Sequence, residues 1–175
     1  MDLKDFIRDV PDFPQEGILF RDITPILKNA DAFNTAIDLI RQKCSELDFD
    51  TIVGVESRGF IFGAPLACAM GKSFVPVRKE GKLPGDTISA SYSLEYGSNT
   101  LEIHAGYIVP GSRVLVIDDL LATGGTIEAT AELVERSQGV VAGIGLVIEL
   151  NGVVGRERLK NYDVFALIQY LIWDA

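Results

Sequence analysis

The chain of 175 residues is poor in the residues that hold metals, bridge strands covalently or bind polyanions. Cys44 and Cys68 are its two cysteines and do not form a C-x-x-C pair, which excludes a disulfide framework and a structural zinc site. Both fall in expected helices, where each reads as a small buried apolar side chain. His104 is the single histidine; at the end of an expected hairpin strand it reads as structural. Sixteen Lys and Arg against 25 Asp and Glu give a net charge of -9, which argues against binding nucleic acid or an anionic membrane over a broad surface. An anionic small molecule therefore needs a local cationic cluster. No apolar run reaches the length of a membrane span, and the N-terminal MDLKDFIRDVPDF has no signal-peptide core, so a reducing cytoplasm is the expected location. Neither repeats nor low-complexity linkers are found, and the length suits one domain spanning 1–175.

What the chain does have is a strong α/β pattern. Residues 3–9 read as a short helix, and VPDFPQEG as a proline-punctuated turn leading into ILFRDITP. From Asp31, the expected cap, Phe33, Ile37, Ile40 and Cys44 share one helical face. TIVGV at 51–55 predicts a strand, ESRGFIFGAPLACAMG a turn and an apolar helix ending at Gly71, and SFVPV at 73–77 another strand. RKEGKLPGD at 78–86 predicts an exposed basic loop. In the next segment Ile88, Ala90, Tyr92, Leu94 and Tyr96 alternate with smaller or polar residues up to a Gly-Ser-Asn interruption, the pattern of a hairpin able to serve as a flap. VVAGIGLVIEL reads as a strand, and VFALIQYLI as a last apolar segment whose type the pattern leaves open.

The stretch RVLVIDDLLATGGTIEAT carries the chemistry. Residues 114–117 are continuously apolar, as in a parallel strand buried on both faces, with Asp118 and Asp119 at its carboxyl end. Beyond the ATGGT turn, Ile127, Ala131, Leu133 and Val134 recur at roughly helical spacing. Glycines let backbone amides approach a ligand, the following helix aims its unpaired N–H groups at the same place, and Thr123 and Thr126 add hydroxyl donors. A phosphate monoester fits there, although neither the P-loop nor the G-x-G-x-x-G spacing is present. Ionised aspartates only accept hydrogen bonds and the vicinal hydroxyls of a ribose donate them, so the pair and the turn together suggest a ribose 5-phosphate held by its two ends. The plainer reading is a glycine turn with two helix-capping aspartates; the buried strand, acidic pair and threonines in combination favour the ligand.

VLVIDDLLATGGT resembles the 5-phosphoribosyl 1-diphosphate motif of the type I phosphoribosyltransferases. PDFPQEGILFRDITPIL, ESRGFIFGAPLA, VRKEGKLPG and ASYSLEYG resemble the adenine-specific members in order and spacing, over most of residues 11–160. The resemblance implies a type I phosphoribosyltransferase fold: a central parallel sheet flanked by helices, a small hood from about residues 1–30 and a flexible β-hairpin flap. It assigns the ribose 5-phosphate to Ala122, Thr123, Gly124, Gly125 and Thr126, with Asp118 and Asp119 on the ribose hydroxyls. It places the diphosphate by Glu56, Ser57 and Arg58, with a cis Glu56–Ser57 peptide and with Arg78, Lys79 and Lys82 completing the cationic cluster. For the base it implies that Leu19 and Arg21 offer backbone groups to the adenine edge while Phe20 stacks on the ring, with Leu150 a weaker candidate for the other face. In the flap, Glu95 is expected to bond near N7 and help the base lose its N9 proton, and Tyr96 to shield the reaction from water.

The implied reaction joins adenine N9 to the anomeric carbon of 5-phosphoribosyl 1-diphosphate, giving AMP and diphosphate in purine salvage. Mg²⁺ is expected to bind mainly through the diphosphate substrate, with no direct protein ligand. Assembly as a homodimer is implied too, with FIFGAPLACAM serving either core or interface. Two alternatives stay open at the level of sequence: a phosphoribosyltransferase for 6-oxopurines, and a nucleotide-sensing regulator that has lost turnover.

Overall fold

A computed structural model describes residues 1–93 and 98–171. The chain begins with a 3-10 helix at Leu3–Phe6, followed by β1 (Arg8–Val10), β2 (Phe20–Asp22), α1 (Thr24–Lys28) and α2 (Ala30–Lys43). Next come β3 (Thr51–Val55), α3 (Arg58–Met70), β4 (Ser73–Lys79) and the hairpin β5 (Thr87–Ser93) and β6 (Ser98–His104). It ends with β7 (Arg113–Leu121), α4 (Gly125–Arg136), β8 (Val140–Asn151), α5 (Gly155–Arg158) and β9 (Val164–Leu171).

The main sheet runs β5-β6-β4-β3-β7-β8-β9. From β4 to β9 its neighbours are parallel, and the hairpin joins antiparallel through Arg78–Glu102 and Lys79–Leu101. The expected parallel sheet is thus a mixed one, with the hairpin as its antiparallel edge. Alternation along β7 explains the layers: Leu115 and Ile117 pack in one cluster with Ile37, Ile40, Phe62 and Leu66 of α2 and α3. Val114 and Val116 pack in the other with Ile127, Leu133 and Val134 of α4. A strand whose side chains are buried on both faces reads as one apolar run, which is why residues 114–117 were legible.

Several local expectations give way to non-local pairing. The 3–9 helix is a single 3-10 turn, because Arg8–Val10 instead pairs antiparallel with Phe20–Asp22 in a separate two-stranded sheet. Asn29, not Asp31, caps α2, its side chain accepting from the Ala32 amide at 3.0 Å. Cys44 is buried but Cys68 is exposed, on the side of α3 turned from the core. β4 continues to Lys79, so Arg78 and Lys79 belong to the strand and the loop starts after them. β7 continues to Leu121, placing both aspartates inside the strand, and the last apolar segment is the parallel edge strand β9. α3 ends on Gly71 in the left-handed conformation, as its sequence predicts.

Candidate active site

A cavity of about 540 Å³ opens at the carboxyl ends of β3 and β7, the position at which open α/β sheets receive ligands. It is lined by Glu56, Ser57, Arg58, Lys79 and Lys82 on one side and by Asp118, Asp119, Ala122, Thr123, Gly124 and Thr126 on the other. The two sides are held close by the first turn of α3: a Cβ on Gly59 would stand 2.6 Å from the Ile117 carbonyl oxygen, so glycine alone lets α3 lie against β7. The Glu56–Ser57 peptide is cis.

Asp118 and Asp119 are both buried. Burial, and then the neighbouring charge of Asp119, push the Asp118 carboxyl well above the ordinary carboxylate range. Its Oδ1 accepts from the Asp119 amide at 2.9 Å. The Arg58 guanidinium donates through Nε to Asp119 Oδ2, so the cation at the start of α3 and the acidic pair form one network. At the other end of the turn, Gly124 caps α4 with a positive φ of 81° and has no side chain to accept from the helix's first amides. Those donors are left for water or for a ligand's anionic group.

Glu56 does more than border the cavity. Its carboxylate accepts from the Lys79 amide at 2.9 Å and from Lys82 Nζ at 3.0 Å, with Arg78 Nε at 3.3 Å. Burial alone would raise its pKa, but these bonds reverse that and lower it to about 2. In the free protein the basic cluster is therefore partly neutralised from within. Arg78 does not reach the cavity wall; its Nη1 also bonds the Lys82 carbonyl oxygen at 3.0 Å, tying strand to loop.

Leu19, Phe20, Arg21, Gly125 and Leu150 are not among the residues that line this cavity. Gly125 faces the Tyr92 ring, where a Cβ would come within 3.1 Å. Leu19 and Phe20 are half-buried, and Phe20 stands beside the cavity with the Arg58 guanidinium 6.0 Å from its ring centre. Arg21 turns its side chain away from Phe20's surroundings, to Asp9 at 2.6 Å and over the Tyr170 ring at 4.1 Å. Leu150 is half-buried against the α2 and α3 side of the core. Glu95 and Tyr96 fall outside the described residues. His104 stacks on Tyr107, ring centres 4.4 Å apart.

Tyr92, Asn99 and Leu101 also line the cavity, although the sequence did not single them out for it. The two-residue alternation of the hairpin held the signal for Tyr92, since it shares a strand face with buried Ala90.

A family model described as phosphoribosyl transferase domain matches residues 22–175. An adenine phosphoribosyltransferase of Halothermothrix orenii is 55% identical over 169 residues, covering 97% of this chain and 99% of that protein. The crystal structure of adenine phosphoribosyltransferase from Thermoanaerobacter pseudethanolicus superposes with a TM-score of 0.94 at 51% identity, covering 96% of this chain and 98% of that one. The Saccharomyces cerevisiae enzyme, solved with an imino-altritol bisphosphate and adenine, gives a TM-score of 0.89 at 46% identity over 94% of this chain and 96% of its own. With the acidic strand end, the uncapped helix and the cationic turn gathered in one cavity, and with relatives more than half identical along nearly its whole length, this chain belongs to the adenine phosphoribosyltransferases, transferases of the type I phosphoribosyltransferase fold.

Proposed function

We propose that the cavity binds 5-phosphoribosyl 1-diphosphate across its width and passes the phosphoribosyl group to N9 of adenine, yielding AMP and diphosphate. The convergence of Asp118 and Asp119 with the uncapped start of α4 and with Arg58, Lys79 and Lys82 in one cavity carries this reading. The amides of 122–126 and the Thr123 and Thr126 hydroxyls hold the 5-phosphate. Asp118 and Asp119 accept from the ribose hydroxyls. Ser57, Arg58, Lys79 and Lys82 meet the diphosphate, with Glu56 and Arg78 setting where the lysines stand. The charge leaving the anomeric carbon with diphosphate is then met by donors already in place.

For the base, Phe20 stacks on adenine while the Leu19 carbonyl accepts from the exocyclic amine and the Arg21 amide donates to a ring nitrogen; a 6-oxopurine presents the opposite pattern and is disfavoured. The ion pair of the Arg21 side chain with Asp9 supports a backbone role for that residue. Leu150 is assigned the opposite face of the base. Glu95 bonds near N7 as N9 loses its proton to the departing diphosphate, and Tyr96 excludes water. Removing the Glu95 carboxylate as Glu95→Gln lowers the single-turnover rate by about 10²-fold in this scheme; an unchanged rate removes Glu95 from it.

The donor set suits a magnesium ion carried in by the diphosphate. It would bind mainly through oxygens of the diphosphate substrate, with water completing its shell and no direct protein ligand. When bound, it neutralises the leaving diphosphate. We place the protein in the cytoplasm as one domain that forms a homodimer through the less buried side of α3, which carries Ile61, Pro65 and Cys68. No helix among the described residues is long and apolar enough to cross a membrane.

The deciding assay mixes protein, Mg²⁺ and 5-phosphoribosyl 1-diphosphate with adenine, hypoxanthine or guanine in parallel and follows diphosphate release. Release with adenine alone is expected. Release with an oxopurine overturns the base-edge assignment, and binding without release overturns turnover.

A further inference from the structure

We infer that the short helix α5 is a clamp that sets the position of the ribose-phosphate turn, with Gly155 and Arg156 as positioning residues; the inference rests on reading that turn as the ribose-phosphate site. Gly155 is buried against the turn so closely that a Cβ would stand 2.1 Å from the Ala122 carbonyl oxygen. The approach is mutual, because a Cβ on Gly124 would come within 3.0 Å of both Gly155 Cα and its carbonyl oxygen. Two glycines thus meet backbone to backbone, and the turn that carries the amides rests on α5 rather than on a side chain.

What holds α5 there is a fork. Arg156 donates from Nε to Glu149 Oε1 at 2.7 Å and from Nη2 to Glu149 Oε2 at 2.6 Å, and its Nη1 donates to the Val164 carbonyl oxygen at 2.6 Å. Glu149 is buried near the carboxyl end of β8 and also accepts from Gln169 Nε2 at 3.1 Å, so the fork is anchored to two strands of the sheet. A bidentate guanidinium–carboxylate pair with one partner buried fixes geometry as well as distance. Arg158 reaches the first turn of α4 through Glu128 at 2.9 Å, but both side chains are about half exposed and this bond adds little. Ordering α5 therefore orders residues 122–124 from behind.

The test compares Gly155→Ala with Arg156→Gln combined with Glu149→Gln, a pair that removes the fork without leaving a buried charge alone, and with Arg156→Lys, which keeps one bond to Glu149. In the unliganded variants, amide hydrogen exchange at Glu128, whose amide donates to the Gly124 carbonyl oxygen of the turn at 2.9 Å, is expected to quicken about tenfold while β3 amides stay as in the wild type. The KM for 5-phosphoribosyl 1-diphosphate is expected to rise about tenfold with the adenine KM within about twofold, and Arg156→Lys to fall between. Unchanged exchange at Glu128 in both Gly155→Ala and the double variant overturns the clamp, as does an equal rise of the two KM values. Wild-type AMP formation reports on the proposed function separately, since the exchange measurement needs no substrate.

Discussion

The two halves of the proposed site are built by different means. The phosphate half stands on β7, a nine-residue strand covered on both faces, whose register with β3 and β8 fixes the aspartates and the turn after them. The base half stands on β2, a three-residue strand paired with β1, flanked by the exposed side chains of Phe13 and Ile18. Its support is ionic: Arg8 bonds Asp22 at 2.6 Å, Arg21 bonds Asp9 at 2.6 Å, and Asp22 also holds the Thr24 amide at 2.8 Å where α1 begins. Packing fixes the first half and charge pairing fixes the second, so the two are expected to fail differently when probed.

The largest separation comes from Asp118→Asn. Losing the anionic acceptor is expected to lower kcat/KM about 10²-fold or more, yet the free protein should gain stability at neutral pH. The sign follows from the raised Asp118 pKa: the folded chain holds that proton more firmly than the unfolded one, so its contribution favours the fold in acid and is lost as pH climbs from about 3.8 through the raised value. Thermal melts should show the variant above the wild type at pH 8 and level with it near pH 3; a variant less stable throughout refutes the account. Phe20→Ala comes next, raising the adenine KM about tenfold through lost stacking and leaving the 5-phosphoribosyl 1-diphosphate KM within about twofold. Asp9→Asn removes one anionic partner of the buried Arg21 guanidinium and should raise the adenine KM by about threefold, with an equal effect on the other substrate counting against the division.

Glu56→Gln is the gentlest probe and sharpens the phosphate half alone. Its lowered pKa means the carboxylate stabilises the fold above the usual value of 4.5 and that this contribution fades as pH falls toward about 2. Melts of wild type and variant should therefore separate at pH 7 and converge near pH 2. Parallel curves at all pH values would remove the Lys79 amide and Lys82 bonds as the cause.

The same contrast decides what the sequence disclosed. β3, α3, β7 and the acidic pair were legible because each is a local pattern: an apolar run, a helical repeat closed by Gly71, two carboxylates before a glycine turn. The hairpin was legible through its alternation. β1 was not, since Leu3, Phe6 and Ile7 mimic a helical face and only the distant partner at residues 20–22 makes Arg8–Val10 a strand. Asn29 and Asp31 are equally good caps by type, and the choice depends on where the preceding α1 ends. Tertiary partners hid the rest. Nothing local tells that Glu56 will draw back Lys82, or that Gly155, thirty-odd residues past the turn, lies against Ala122.

Lys79 is at once a rung of the sheet and a wall of the cavity. Its backbone pairs with Leu101 of the hairpin, its amide donates to Glu56, and it borders the space proposed for diphosphate. The same residue is therefore held from two sides, by β6 across the sheet and by the Glu56 carboxylate, so the hairpin's pairing and the cavity wall share one backbone position.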